Sequence, residues 1–287
     1  MIIDKKYGKS FSKLRKSRKL SQKDVVGKSH STLSTFETGD TEPGFIKIFE
    51  WLEMMNVSLS EYRITVNNYE LNGFDKLDTD LNNAYNENNV EELKKILQRE
   101  QNKANKEVNH ELTCIRIKSM ISVFDEKIVL SEDEKEKVTD HLEMLDQWGY
   151  YELKLFAATI NAFETKRLTS LALKVILRSE FYKIIPYNRR ITAVVLINIM
   201  ITLIERDEFQ TARTLEQQIE EILREEDMFE RVVFLFVRGG LDFSEGKLEE
   251  GKKKMQDAIW IFETLECDEF ARAYQENYDN AISSLVQ

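Results

Sequence analysis

Two short helices joined by a tight turn are predicted by residues 21–39, which read SQKDVVGKSHSTLSTFETG. Ser21 is a favourable helix N-cap, and Asp24, three residues later, is an approximate capping-box partner. Gly27 can end this helix by adopting a positive φ, and serines just beyond it offer the next N-cap. The stretch therefore predicts a helix-turn-helix.

Apolar spacing places this motif within a group of five helices. Phe11 and Leu14 mark the buried side of a first helix, and Phe36 faces inward from the third, which ends at Gly39. A turn around Pro43 separates the third helix from the fourth. The predicted first, second, fourth and fifth helices cover about 8–18, 22–26, 45–55 and 58–62.

A helix-turn-helix predicts which side chains meet DNA. The N-terminus of its first helix directs backbone N–H groups at a phosphate, and its second helix lies in the major groove with its early side chains on base edges. Leu33 and Phe36 must face the core. We therefore expect the phosphate contacts to be Gln22, Lys23 and Lys28, and the base contacts to be His30, Ser31, Thr32 and Thr35.

Charge is divided unevenly along the chain. Residues 1–28 carry ten Lys and Arg against two acids, and residues 1–66 carry twelve against eight, a net of +4. Because the whole chain carries −10, the remainder carries −14. A basic end on an acidic body is typical of a domain that binds a polyanion. The sequence has no stacking motif for RNA and no large apolar face for a membrane, so double-stranded DNA is favoured.

Residues 14–43, LRKSRKLSQKDVVGKSHSTLSTFETGDTEP, resemble the phage-repressor or Xre-type helix-turn-helix family. The similarity extends over roughly residues 7–62 and implies a structural ion pair between Arg15 and Glu37. Asp40 and Glu42 depart from the family, which often has basic phosphate contacts there. Some Xre-like domains bind proteins instead of DNA, and that alternative stays open.

The rest of the chain is predicted to be helical, because only two prolines and ten glycines occur in 287 residues. A helix, a short polar break and a second helix recur about every forty residues, which resembles tetratricopeptide repeats. The fold class is therefore all-α, a five-helix head followed by an α-solenoid. The predicted domains are 1–66, a linker at 67–75, and 76–287. The eleven predicted body helices are 77–86, 90–100, 106–124, 132–146, 150–163, 168–181, 188–205, 209–223, 229–243, 248–265 and 268–284.

Polar residues recur at equivalent positions in the first helices of three successive repeats. Asn161 and Asn198 are 37 residues apart, and Arg238 follows 40 residues later. On a concave face the amides could bind a peptide backbone, and the arginine could bind a carboxylate. Alternatively, these side chains could bond to neighbouring helices. The predicted peptide site comprises Tyr151, Asn161, Tyr187, Arg190, Asn198 and Arg238.

Four segments together resemble the Rgg or MutR-like family of regulators, which joins an Xre-type head to a repeat domain. They are LRKSRKLSQKDV, STFETGDTEPGFIKIFEWLEMMNVSLSEY, WGYYELKLFAATINAF and YNRRITAVVLINIM. The resemblance implies a homodimeric, DNA-binding transcription regulator controlled by a short signalling peptide, of the quorum-sensing type. The head contains no cysteine, so the intersubunit disulfide of some relatives cannot form there.

Other classes of protein find little support in the sequence. It shows no Gly-rich phosphate loop, metal-ligand spacing or nucleophile elbow, so we expect no enzyme, no metal and no cofactor. No secretory signal or continuous apolar run near 18 residues occurs, which predicts a cytoplasmic protein without a membrane partner. The alternative function is a protein-binding scaffold or anti-regulator whose DNA-binding head is vestigial.

Overall fold

The computed structural model describes residues 4–27, 31–104, 108–179 and 184–283. Within these ranges the regular structure is entirely helical, as the all-α prediction requires. The head helices are α1 Lys6–Ser17, α2 Gln22–Val26, α3 Ser31–Thr38, α4 Phe45–Met54 and α5 Leu59–Val66. They are followed by α6 Gly73–Asn86, α7 Val90–Gln101, α8 His110–Ser122, α9 Glu132–Met144, α10 Tyr150–Thr159, α11 Thr165–Arg178, α12 Pro186–Glu205, α13 Phe209–Ile222, α14 Met228–Ser244, α15 Leu248–Thr264 and α16 Asp268–Ser283.

Capping chemistry fixes the start of α2. The Ser21 hydroxyl accepts a hydrogen bond from the Asp24 backbone N–H at 3.2 Å, and the Asp24 carboxylate accepts one from the Ser21 N–H at 2.6 Å. This reciprocal pair is the capping box predicted from the sequence. Gly27 follows α2 with φ +67°, in the left-handed region that glycine tolerates best.

An aromatic cluster holds the head together. The Phe11 ring of α1 contacts the rings of Phe36, Trp51 and Tyr62 edge-on, with centroid separations of 5.7, 6.0 and 6.2 Å. Gly8 lets α1 approach α3, because a Cβ there would lie 1.8 Å from the Phe36 carbonyl oxygen. This close contact holds α3, the second helix of the helix-turn-helix, against α1.

The chain divides into two compact units, residues 1–83 and 84–287. The boundary lies near the end of α6, so most of that helix belongs to the first unit. The segment predicted as a linker, 67–75, comprises the turn between α5 and α6 and the first residues of α6.

Successive helices of the second unit pack as stacked pairs. Helix α10 packs on α12, and α12 packs on α14. Helix α13 packs against α12, and α15 packs against α14. The largest apolar core runs along this stack, from Ile115 to Leu241. Three starts differ from those predicted by three or more residues: α6 begins at Gly73, α8 at His110 and α11 at Thr165, against predicted starts at 77, 106 and 168. The predicted start at 106 and the predicted ends at 181 and 284 lie outside the described residues.

Two glycines set the separation of α14 and α15. A Cβ on Gly239 would lie 2.8 Å from the Gly251 carbonyl oxygen, and one on Gly251 would lie 2.6 Å from the Gly239 carbonyl oxygen. These distances are shorter than any ordinary carbon–oxygen contact, so the two helix backbones touch directly.

Helix α12 is the central apolar helix of the second unit. By length and composition it could cross a membrane, but 67% of its most apolar window is buried inside the protein. Thr192, Ala193, Val195 and Met200 are fully buried. Burial among neighbouring helices explains its hydropathy.

Candidate DNA-binding and peptide-binding sites

Helix α3 presents hydroxyl groups on the side away from the head core. Leu33 and Phe36 are buried, whereas Ser31 is exposed and Thr32 and Thr35 are half-buried. The Thr35 hydroxyl lies 2.8 Å from the Thr41 hydroxyl and is also within bonding distance of the Ser31 and Thr32 carbonyls. These bonds hold it in place while leaving oxygen lone pairs available. The predicted contacts Lys28 and His30 lie outside the described residues.

The side chains at the start of α2 differ in whether they already make contacts within the protein. Lys23 is exposed, which suits a phosphate ligand. Gln22 is already engaged, since its side-chain N–H donates to Glu37 Oε2 at 2.9 Å. The predicted phosphate role of Gln22 is thus left to its backbone N–H and its second side-chain N–H.

Arg15 and Glu37 form a buried ion pair between α1 and α3. Arg15 Nε lies 2.7 Å from Glu37 Oε1, Nη2 lies 2.8 Å from Oε2, and the two side chains are 8% and 6% exposed. Burial favours the neutral form of Glu37, but hydrogen bonds from Arg15, Gln22 and Ser12 outweigh it and lower the pKa of Glu37. Both charges point into the head, so this geometry suits a structural role.

Acidic residues follow α3 on the surface. Asp40 is exposed and accepts a hydrogen bond from the Thr38 hydroxyl, and Glu42 is also exposed. Positive charge comes instead from α1, where Lys9, Lys13 and Lys16 are exposed. The electrostatic attraction to a phosphate backbone would therefore come from α1 and α2.

In the second unit, Thr202 of α12 connects the two asparagines of the predicted peptide site. Its hydroxyl lies 3.1 Å from Asn161 Oδ1, in the short 3-10 helix after α10, and 3.1 Å from the Asn198 backbone carbonyl. The two asparagines therefore occupy neighbouring positions at the contact of α10 with α12. Asn161 is exposed and Asn198 is half-buried.

Arg238 is directed toward α13. Its Nε lies 2.7 Å from Glu216 Oε1, its Nη1 lies 3.7 Å from Glu220 Oε1, and its guanidinium lies 5.5 Å from the centre of the Phe234 ring. A cavity of about 250 Å³ adjoins it, lined in part by Leu223 and Phe234. A ligand carboxylate at Arg238 would have to compete with these two glutamates.

A buried aspartate organises the start of α12. Asp227 accepts hydrogen bonds from Arg189 Nε at 3.1 Å, from Arg189 Nη2 at 3.0 Å and from Arg190 Nε at 2.9 Å. Burial would raise the pKa of Asp227, but Arg189, the Arg224 backbone N–H and Arg190 together lower it far below its usual range. The Asp227 side chain is 0% exposed and that of Arg190 is 46% exposed, so Arg190 keeps donors on the surface.

Two tyrosine rings, one from α10 and one from the start of α12, contact each other. The rings of Tyr150 and Tyr187 are 4.7 Å apart and tilted by 36°, and the Tyr187 hydroxyl donates to the Tyr150 hydroxyl. Tyr187 is 58% exposed, so one surface of its ring is accessible to solvent. Tyr151 points elsewhere, since its hydroxyl donates to the Asn109 carbonyl at 3.1 Å.

The structure separates five of the six predicted peptide residues into three groups, while Tyr151 lies apart from them and is bonded to Asn109. Tyr187 and Arg190 lie in the first turn of α12, Asn161 and Asn198 lie next to Thr202, and Arg238 lies against α13. Sequence reasoning missed Thr202, Asp227 and Glu216. No distinctive spacing marks Asp227 or Glu216, because each is one acid within a charged stretch.

Comparison with known proteins defines the class. The family model described as HTH-type transcriptional regulator Rgg, C-terminal domain, matches residues 94–276, and a helix-turn-helix model matches residues 11–62. The chain belongs to the Rgg family of helix-turn-helix transcriptional regulators. The family consists of regulators, not enzymes.

Solved structures agree over almost the whole chain. The SHP pheromone receptor Rgg2 of Streptococcus dysgalactiae is 27% identical with a TM-score of 0.82, covering 96% of this chain and 99% of that one. A protein described as a transcriptional regulator from Listeria monocytogenes is 20% identical with a TM-score of 0.84, covering 97% and 98%. The PrgX/cCF10 complex is 14% identical with a TM-score of 0.70, covering 97% and 92%. The last two similarities support the fold alone.

Proposed function

We propose that this regulator is a cytoplasmic homodimer that binds double-stranded operator DNA and is controlled by a short signalling peptide held in its repeat domain. The observation that carries the proposal is the full-length similarity to the pheromone receptor Rgg2. A helix-turn-helix with an outward hydroxyl row and a basic α1 supplies the DNA-binding half.

On DNA, α3 enters the major groove with Ser31, Thr32 and Thr35 toward base edges, preceded by His30. Short hydroxyl side chains reach base edges partly through water, so base discrimination is modest. Lys23 and Lys28 bind phosphates, and the N-terminus of α2 adds backbone N–H donors. Gln22 adds its backbone N–H and its second side-chain N–H to the phosphate contacts, because the first side-chain N–H already donates to Glu37.

For the peptide, the favoured surface is the one that joins the first turn of α12 to the Asn161–Asn198 region. Arg190 keeps exposed guanidinium donors for a carboxylate while Asp227 holds the side chain. Tyr187 supplies an aromatic face, and Asn198 supplies an amide for the peptide backbone. Arg238 and Tyr151 join the site only if ligand binding breaks their present contacts.

Control follows from differential affinity. A peptide that binds one arrangement of the stacked helices more tightly than another shifts the population toward it. In a dimer that shift changes the spacing of two heads relative to two half-sites, and so changes DNA affinity. A peptide with equal affinity for both arrangements would have no effect.

The test uses a duplex selected by the full-length protein from a randomised DNA pool. Its affinity is measured by fluorescence anisotropy with and without members of a library of short synthetic peptides. We expect at least one peptide to change the affinity, and Arg190→Ala to abolish that change while DNA binding without peptide is retained. Failure to select any duplex at low salt would favour the scaffold alternative.

A further inference from the structure

Helices α9 and α11 adjoin at their C-terminal ends. Lys174 Nζ donates to Glu143 Oε1 at 2.6 Å. Arg178 Nη1 donates to the carbonyls of Leu142 at 2.8 Å and Glu143 at 3.1 Å. The outer surfaces of these two helices are therefore neighbours.

The two helices carry opposite charge. Helix α11 contains four basic residues and no acid, a net of +4, within the acidic part of the chain. Helix α9 contains six acids against two lysines, a net of −4. The exposed positions follow the same division, with Lys166 and Arg167 on α11 and Glu132, Glu136 and Asp140 on α9.

Apolar side chains are exposed where the two helices meet. Leu173 and Leu177, one turn apart on α11, are 51% and 76% exposed, and Met144 at the end of α9 is 82% exposed. Met144 follows Glu143, the residue that contacts Lys174 and Arg178 beside these two leucines. Single exposed leucines are common on protein surfaces, but a group of exposed apolar side chains suits an interaction surface. We call this face, with its acidic and basic flanks, the α9–α11 face.

We propose that the α9–α11 face is where two copies of the chain meet. A two-fold axis running between the helices would place the acidic α9 of each copy on the basic α11 of the other, with the apolar ends together. An isologous interface requires such self-complementarity. An acidic helix from an unrelated protein would match α11 but leave like charges opposite α9, so a second copy fits better.

This inference rests on the homodimer in the proposed function and assigns it a surface. The test measures the dimer dissociation constant of the full-length protein by sedimentation equilibrium. One variant reverses α11, Lys166→Glu with Arg167→Glu, and another reverses α9, Glu136→Lys with Asp140→Lys. Each variant alone places like charges together, so we expect its dissociation constant to rise at least about tenfold.

Mixing the two variants gives the decisive result. In the heterodimer the reversed α11 meets the reversed α9 and the other contact is unchanged, so we expect the wild-type dissociation constant to return. Rescue also shows that both variants are folded. A control pair on α15, Lys252→Glu with Lys253→Glu, should leave dimerisation unchanged.

Other outcomes overturn the assignment in distinguishable ways. If the wild-type protein dimerises and both variants dimerise equally well, the α9–α11 face is not the interface and the proposed homodimer stands. If each variant is monomeric and mixing gives no rescue, α9 and α11 do not pair across the interface. If the wild-type protein is monomeric throughout, the homodimer itself is wrong.

Discussion

Adding one methyl group at either of two adjacent glycines in α14 should have opposite effects on stability. A Cβ on Gly239 would lie 2.8 Å from the Gly251 carbonyl oxygen and 2.9 Å from the Met255 backbone nitrogen. Both are backbone atoms of α15 and cannot move without separating the helices. At Gly240, by contrast, no atom outside the adjoining turns of α14 lies within 4 Å of the added Cβ.

The magnitudes follow from this difference. Replacing a helical glycine by alanine stabilises by about 0.5–1 kcal/mol, because the unfolded chain loses conformational freedom and helix propensity rises. Gly240→Ala should show this gain. Gly239→Ala has the same gain but must force α14 away from α15, and overpacking costs about 1–3 kcal/mol or more. We therefore expect Gly239→Ala to be destabilising overall.

Thermal unfolding followed by far-ultraviolet circular dichroism measures both variants. Each kcal/mol shifts the Tm of a domain of 150–250 residues by about 2–4 °C. The Tm should rise for Gly240→Ala and fall for Gly239→Ala. Equal shifts, or a stabilised Gly239→Ala, would refute the close approach of α14 and α15.

Three further predictions concern the ion pairs and the aromatic pair. Glu37→Ala leaves Arg15 buried without its carboxylate and should destabilise the head by about 3–5 kcal/mol, measured by hydrogen exchange of α1 and α3 amides. Folding lowers the pKa values of Glu37 and Asp227, so at neutral pH the two carboxylates contribute their full stabilisation of the folded state. It should be lost as the pH falls below the unfolded values of 4.5 and 3.8, and the urea midpoint should drop with it. Tyr187→Ala should weaken peptide binding in anisotropy titrations with only a small fall in Tm, because Tyr187 is 58% exposed and loses only its contact with Tyr150.

Local signals in the sequence were sufficient for much of the head. Ser21 and Asp24 predict their capping box because both partners lie within four residues, and Gly27 predicts the end of α2 by its tolerance of positive φ. The stacked helix pairs of the body also follow from periodicity along the chain. These features depend on neighbours that are close in sequence.

Contacts between distant residues could not be predicted in the same way. From the sequence alone, Gly239 and Gly251 are two residues that weaken helices. Their role depends on the crossing of α14 and α15, which brings their backbones into contact. The 40-residue spacing placed Arg238 in register with Asn198, but spacing does not determine side-chain direction, and Glu216 draws Arg238 toward α13. Asp227 acquires its role only because Arg189 and Arg190, 38 and 37 residues earlier, fold onto it.

The salt dependence of DNA binding tests the central claim most directly. Wild-type protein and Lys23→Ala are titrated against the selected duplex between about 50 and 200 mM salt, where each phosphate contact contributes about one unit to the slope of log K against log salt. We predict a steep negative slope for the wild type and a slope about one unit shallower for Lys23→Ala. Absence of wild-type binding at the lowest salt, or an identical slope for the variant, would contradict the placement of α2 and α3 on DNA.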